Sequence, residues 1–203
     1  MALRLHTSRV NGGCAGPVGT SPIAQIDKKT PFGMRAKKGF SLIELLIVVA
    51  IILIIAAIAI PNLTRARIAA NESAGASTVR TVNTAEATYS TTYPNLGYAP
   101  SLTPLGPNGQ DCTSPANVTS TSACLIDNIL GTAPFIKGAY TYKISSSSTT
   151  PPVPEYFLTA ISLTKTAATR DYCSTVDAVV HFQVTTGSGI ADPKTCDKLA
   201  AIQ

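Results

Sequence analysis

A largely apolar run from Phe40 to Ile60, whose one charged residue is Glu44, constrains this chain more than any other feature. At about 1.5 Å per helical residue it spans roughly 30 Å, the thickness of a bilayer's hydrocarbon core. It is preceded by Lys37-Lys38-Gly39. A carboxylate inside such a run costs on the order of 3 kcal/mol, so Glu44 calls for a partner. A single-pass protein with its N terminus in the cytoplasm shares the charge asymmetry, but that class does not require an acid fixed near the start of the span. A secretory signal peptide fits less well, because its apolar region is shorter and ends in a small-residue cleavage site, whereas this run continues through Ile58 and Ile60.

The segment Lys37-Lys38-Gly39-Phe40-Ser41-Leu42-Ile43-Glu44-Leu45-Leu46 resembles the processing site of type IV prepilins and of the related type II secretion pseudopilins. The resemblance is close from Lys37 to Pro61. It implies that a membrane peptidase, the prepilin peptidase, cuts after Gly39 and N-methylates Phe40. It also implies that Glu44 pairs with the amino terminus of a neighbouring subunit during filament assembly. A carboxylate and an ammonium compensate each other in low dielectric, and a mispositioned subunit leaves one charge unpaired.

The full chain carries a formal +5. Residues 1–39 hold seven Lys or Arg (Arg4, Arg9, Lys28, Lys29, Arg35, Lys37, Lys38) against Asp27 alone, a net +6. Residues 40–203 therefore carry −1. The basic charge belongs to the leader, where it would hold that end in the cytoplasm. The remainder offers no electrostatic basis for a nucleic-acid site. Residues 1–33 are rich in Gly, Pro, Ser and Thr without periodicity and read as disordered. Met34 would open a short leader of the kind many type IVa prepilins have, so translation is expected to start there. A genuine long leader, which would retain Cys14, is the alternative.

Four parts follow: the leader 1–39, an apolar membrane or filament-core helix 40–60, an amphipathic helix 61–93, and a globular part 94–203. Pro61 removes a backbone donor and is expected to kink or loosen the helix. The resemblance implies a helix that can melt there when subunits pack. Val79, Val82, Ala85 and Tyr89 form one apolar stripe at spacings of three and four. Ala69, Ala70, Ala74, Gly75 and Ala76 would admit neighbouring helices. Pro94 and Gly97 end the helix.

Residues 94–137 read as a long ordered loop, dense in Pro, Gly, Ser, Thr and Asn. Three strands are expected at 139–145, 156–163 and 178–185. A polar connection spans 145–154, and Gly187-Ser188-Gly189 is a turn. The fold class is α+β, a small antiparallel meander laid on the second half of the long helix, which is also the architecture of the type IV pilin fold. The stretch 156–182, with Thr169-Arg170-Asp171 ahead of a strand, resembles the sheet region of bacterial pilin-like proteins more loosely.

Five cysteines are present; Cys14 lies in the leader, leaving Cys112, Cys124, Cys173 and Cys196. An even set outside the cytoplasm implies disulfides, with three connectivities possible. Pairing of sequence neighbours, Cys112 with Cys124 and Cys173 with Cys196, is the expectation. The second bridge would resemble the bridged C-terminal region of many type IV pilins. Zinc is the competing reading, but there is no CxxC pair and His181 is the one histidine after the leader. No metal, cofactor or catalytic residue is expected. His181 lies mid-strand without a nucleophile motif. Asp177, Asp192 and Asp197 fit no calcium-loop spacing, although the major pseudopilin binds calcium. Asn117-Val118-Thr119 matches a glycosylation sequon, a triplet that also arises by chance.

The reading is structural, not enzymatic. The resemblance implies a type IV pilin that polymerises with its own copies through helix 40–93. Its precursor would sit in the bacterial inner membrane and its product in an extracellular filament serving motility, adhesion or DNA uptake. The implied partners are the prepilin peptidase, an inner-membrane assembly platform with its ATPase motor, and an outer-membrane secretin. A type II secretion pseudopilin is the alternative with the same fold. A membrane-anchored periplasmic enzyme or sensor would require Gly39 to stay uncut.

Overall fold

The computed structural model describes residues 39–187 and 189–202. Residues 1–38 of the expected leader, with Cys14 and Met34, lie outside the described residues, as does Ser188 of the expected turn. The chain divides into two units, Met1–Leu42 and Ile43–Gln203. Of the first, Gly39–Ser41 is non-helical lead-in and Leu42 starts the helix.

Helix α1 runs unbroken from Leu42 to Thr92. Its first half is built from Leu, Ile, Val and Ala, with no glycine or proline before Pro61. Pro61 sits inside the helix, and the helix continues through it. At the other end, Tyr93 still donates its N–H to Tyr89 O, and Leu96 and Gly97 then turn back onto Tyr93 O. Gly97 has φ +74, and a Cβ there would lie 2.2 Å from Val153 O, so only glycine serves at this crossing.

The rest of the second unit is a six-stranded antiparallel meander with strands in chain order. The strands are β1 (Ile136–Lys137), β2 (Tyr140–Ser145), β3 (Phe157–Ser162), β4 (Arg170–Ser174), β5 (His181–Val184) and β6 (Ala200–Ala201). Three of these fall within the expected strands; β1, β4 and β6 were not expected. The supposed loop 94–137 also holds more order than its composition suggests. It contains 3-10 turns at Thr103–Leu105 and Pro115–Asn117, the short helix α2 (Asn128–Gly131) and β1. Asp127 caps α2, accepting from Leu130 N–H at 2.9 Å.

Register sets the two faces of the sheet. Tyr142 pairs with Ala160, Ala160 with Tyr172, and Tyr172 with Phe182. This row, with Tyr140 and Leu158, packs in one core with Val79, Val82, Ala85 and Tyr89 of α1. The expected stripe is thus the seam between helix and sheet. Gly75 and Ala76 are buried in that seam as well. A Cβ on Gly75 would meet the Tyr140 ring at 2.5 Å, so these two small residues admit the chain's own sheet. Of the five small residues, Ala69, Ala70 and Ala74 remain exposed.

The opposite face of the sheet carries a second, smaller core of Phe157, Cys173, Ile190 and Cys196, with Leu199 against it. The chain after β5 supplies this cover through helix α3 (Pro193–Cys196), whose cap Asp192 accepts from Thr195 N–H. The disulfide Cys173–Cys196 ties α3 to β4, and Cys112–Cys124 closes the loop before α2.

Candidate assembly segment

The two halves of α1 meet different surroundings. Val79 and Val82 are fully buried, whereas Phe40 is 84% exposed and Leu46 and Ile58 are 60% and 65% exposed. An 18-residue window in the apolar half is long and apolar enough to cross a membrane, and none of it is buried within the chain. Burying such side chains is worth about 1.5–3 kcal/mol each. A row of them left in water is therefore an incomplete structure that calls for a bilayer or other helices.

Gly39, Phe40 and Glu44 are near neighbours in sequence at the start of this half. Gly39 is exposed, and among the described residues nothing lies within 4 Å of a Cβ built on it. Glu44 lies in the first turn of α1 and is exposed. There its carboxylate complements the positive end of the helix dipole, a modest structural role that any acid at this position would play. Pro61 lies 17 residues further on and withholds an N–H from the carbonyl of Ala57. Thr64 adds a bond of its own, donating its hydroxyl to Ile60 O at 3.2 Å. The four disulfide cysteines belong to the globular part.

The second half of α1 is fastened by polar contacts that sequence reasoning did not find. Asn83 Nδ2 donates to Ser174 Oγ at 2.8 Å and to Ala178 O at 3.0 Å, and Tyr156 OH donates to Asn83 Oδ1 at 3.2 Å. Asn71 reaches Ala167 O, and Glu72 Oε1 accepts from Thr169 N–H at 3.0 Å. Glu86 is fully buried; Oε2 accepts from Ala99 N–H at 2.9 Å, and Oε1 has no partner. Desolvation outweighs that one hydrogen bond and pushes its carboxyl up to about 8. Burial likewise raises the phenol of Tyr156 beyond its ordinary range.

The other singled-out residues have local roles. His181 opens β5, is buried, and shares a 2.9 Å hydrogen bond between Nδ1 and Leu199 O. Thr175 Oγ1 donates toward both Asp177 and Asp197, while Asp192 caps α3. Asn117 Nδ2 is occupied by Asp111 O. Among the described residues, no three His, Cys, Asp or Glu side chains gather as a metal site would require.

Comparison with known proteins bears on the apolar half. Residues 34–60 match the model of the prokaryotic N-terminal methylation motif. In this segment the chain is similar to type IV pilins. It is also 65% identical over 40 residues to the type IV wide pilus major component PilA4 of Thermus thermophilus. That match takes in 20% of this chain and 30% of the relative's length, so the chain aligns with under a third of that relative. No solved structure matches the chain. The long apolar helix followed by a six-stranded antiparallel sheet fits an α+β pilin fold.

Proposed function

We propose that this chain is the structural subunit of a type IV pilus. It is made as an inner-membrane precursor, cut after Gly39 by a prepilin peptidase, methylated at Phe40 and polymerised through the helix 40–93. The observation that carries this reading is an apolar half of α1 that nothing covers among the described residues, beside a second half packed on its own sheet. In the membrane, lipid covers the exposed half; in the filament, the same half of neighbouring copies does. Glu44 serves assembly by pairing with the amino group of Phe40 on the adjacent copy. A bare carboxylate between apolar helices is penalised unless that ammonium is in register. The sheet and loops form the filament's outer surface. An inner-membrane platform with its ATPase motor drives assembly, and an outer-membrane secretin passes the filament to the cell exterior.

The decisive test is the intact mass and N-terminal peptide of this chain in filaments sheared from cells. A chain beginning at methylated Phe40 in abundant extracellular filaments is the expected result. A processed chain confined to the membrane or periplasm would favour a type II secretion pseudopilin. An uncut chain would remove the filament reading altogether.

A further inference from the structure

Between the apolar half of α1 and its sheet-packed half lie two charges that neither half uses. From Leu45 to Asn71 there is no acidic residue, and the only basic ones are Arg65 and Arg67. Both side chains are exposed, and neither has a hydrogen bond or ion pair among the described residues. The next acid along the helix, Glu72, is engaged by Thr169 and lies 3.7 Å from Arg170 Nε.

Because α1 is continuous from Leu42 past both arginines, their height above the apolar run follows from helix geometry. Arg65 and Arg67 lie roughly 7 and 10 Å along the axis from Ile60. With the apolar run in the hydrocarbon core, that places their Cα atoms at or just outside the headgroup layer. Helical side chains lean toward the N terminus, here back toward the bilayer, and arginine stems are long enough to reach phosphate from that height. Two residues apart on a helix is about 200° of rotation. The two guanidinium groups therefore face opposite sides of α1 and cannot share one lipid.

We propose that Arg65 and Arg67 form a collar that binds the phosphates of anionic phospholipids at the outer rim of the inner membrane, one on each side of α1. This rests on the membrane-spanning precursor argued above. It carries a consequence for processing. While the leader is attached, its basic residues outnumber the collar and hold the N-terminal end inside. Cleavage after Gly39 leaves Arg65 and Arg67 as the only Lys or Arg within about 15 residues of either end of the span. Removal of the leader thus ends that inward bias and leaves the contacts of Arg65 and Arg67 with lipid phosphate at the outer rim.

The test compares full-length wild type, R65Q/R67Q and R80Q in nanodiscs of mixed phosphatidylglycerol and phosphatidylcholine, counting bound lipids by native mass spectrometry. The leader is common to all three, so differences report the arginines. Wild type should retain phosphatidylglycerol selectively, and R80Q should match it. R65Q/R67Q should lose that selectivity by about 25-fold, roughly fivefold for each arginine near a charged surface. Equal retention by R65Q/R67Q would overturn the collar. So would displacement of the lipid by millimolar inorganic phosphate, which would mark a small-anion site instead. Insertion is checked separately by resistance to alkaline extraction. A chain that fails to insert refutes the membrane reading itself, whereas insertion with unchanged lipid retention refutes only the collar.

Discussion

The two halves of α1 have the same backbone and opposite fates. Residues 42–63 present Leu, Ile and Val outward, while Val79, Val82 and Tyr89 are sealed beneath the sheet. Hydrophobicity alone does not distinguish them, since both rely on apolar contacts. What differs is the partner. The second half is completed by the chain itself, through tyrosines on β2 and β4 and polar bridges at Asn71, Glu72 and Asn83. Among the described residues, nothing covers the first half. A substitution in one half should therefore register in folding, and a substitution in the other in membrane insertion or assembly.

The sharpest way to break this division is Glu44→Ala. If Glu44 pairs with a neighbouring amino terminus, its loss leaves a buried ammonium uncompensated, at about 3–5 kcal/mol per subunit. Sheared filament yield should fall at least roughly tenfold, as that energy implies, with Gly39 cleavage intact by N-terminal sequencing. The melting of the sheet should not move. Normal piliation in this variant would remove the assembly role.

Glu86 supplies the opposite case, an acid whose effect is confined to folding. Its folded value is about 8 against an ordinary 4.5. Below pH 4.5 both the folded and unfolded states are protonated, and the contribution to stability is complete. As pH rises toward 8, the unfolded state releases its proton while the folded state keeps it, so stability declines until Glu86 also ionises in the fold. The decline amounts to roughly 3–5 kcal/mol. Glu86→Gln keeps an acceptor for Ala99 N–H and removes the charge. In detergent-solubilised full-length protein, unfolding followed from pH 4.5 to 8 should lose much of its slope in this variant. A slope identical to wild type would mean that Glu86 is ionised in the fold at neutral pH.

How far the sequence discloses this arrangement depends on whether a residue's surroundings come from its own neighbours. The stripe from Val79 to Tyr89 is legible because its spacing is helical, and the strands at Tyr140, Phe157 and His181 because they are aromatic or β-branched. β4 is not, because four of its five residues are buried and the two faces face different cores. Arg170-Asp171-Tyr172-Cys173-Ser174 therefore shows no alternation of apolar and polar residues. Its Asp171 is buried and accepts from Ser162 N–H at 2.9 Å, a contact no local pattern announces. β1 and β6 have two residues each, too few for any period. Glu86 reads as an ordinary surface acid of a helix until the chain at Ala99 folds over it. The segment that matches the N-terminal methylation motif is legible for the contrary reason: its signal lies in contiguous residues.

Among the covalent ties, the one on the sheet's outer face should matter more. Replacing Cys173 and Cys196 together by serine removes a cross-link worth about 3 kcal/mol in the loop-entropy model and loosens the cover over Phe157 and Ile190. Replacing Cys112 and Cys124 leaves both cores covered and should lower stability less, as read by urea unfolding under non-reducing conditions. A difference of no more than about 0.5 kcal/mol, which the two loop lengths alone imply, would show that loop entropy accounts for both bridges. Neither pair should alter membrane insertion, because neither touches the apolar half of α1.

The smallest effect tests the seam itself. Alanine at position 75 would gain about 1 kcal/mol of helix propensity in an exposed helix. Here its methyl group would stand 2.5 Å from the Tyr140 ring, a side chain that is 1% exposed and donates its hydroxyl to Arg170 O. Moving that ring disturbs its contact with Tyr172, whose centroid is 5.6 Å away. Overpacking of this kind costs about 1–3 kcal/mol, so the net loss for Gly75→Ala should be of order 1 kcal/mol, a melting shift of a few degrees. Ala57→Val adds bulk to the exposed half and should leave the same melting curve unchanged, with any effect confined to filament assembly. A stabilised Gly75→Ala protein would mean that the sheet yields to the helix, and the seam would then be adjustable instead of fixed by glycine.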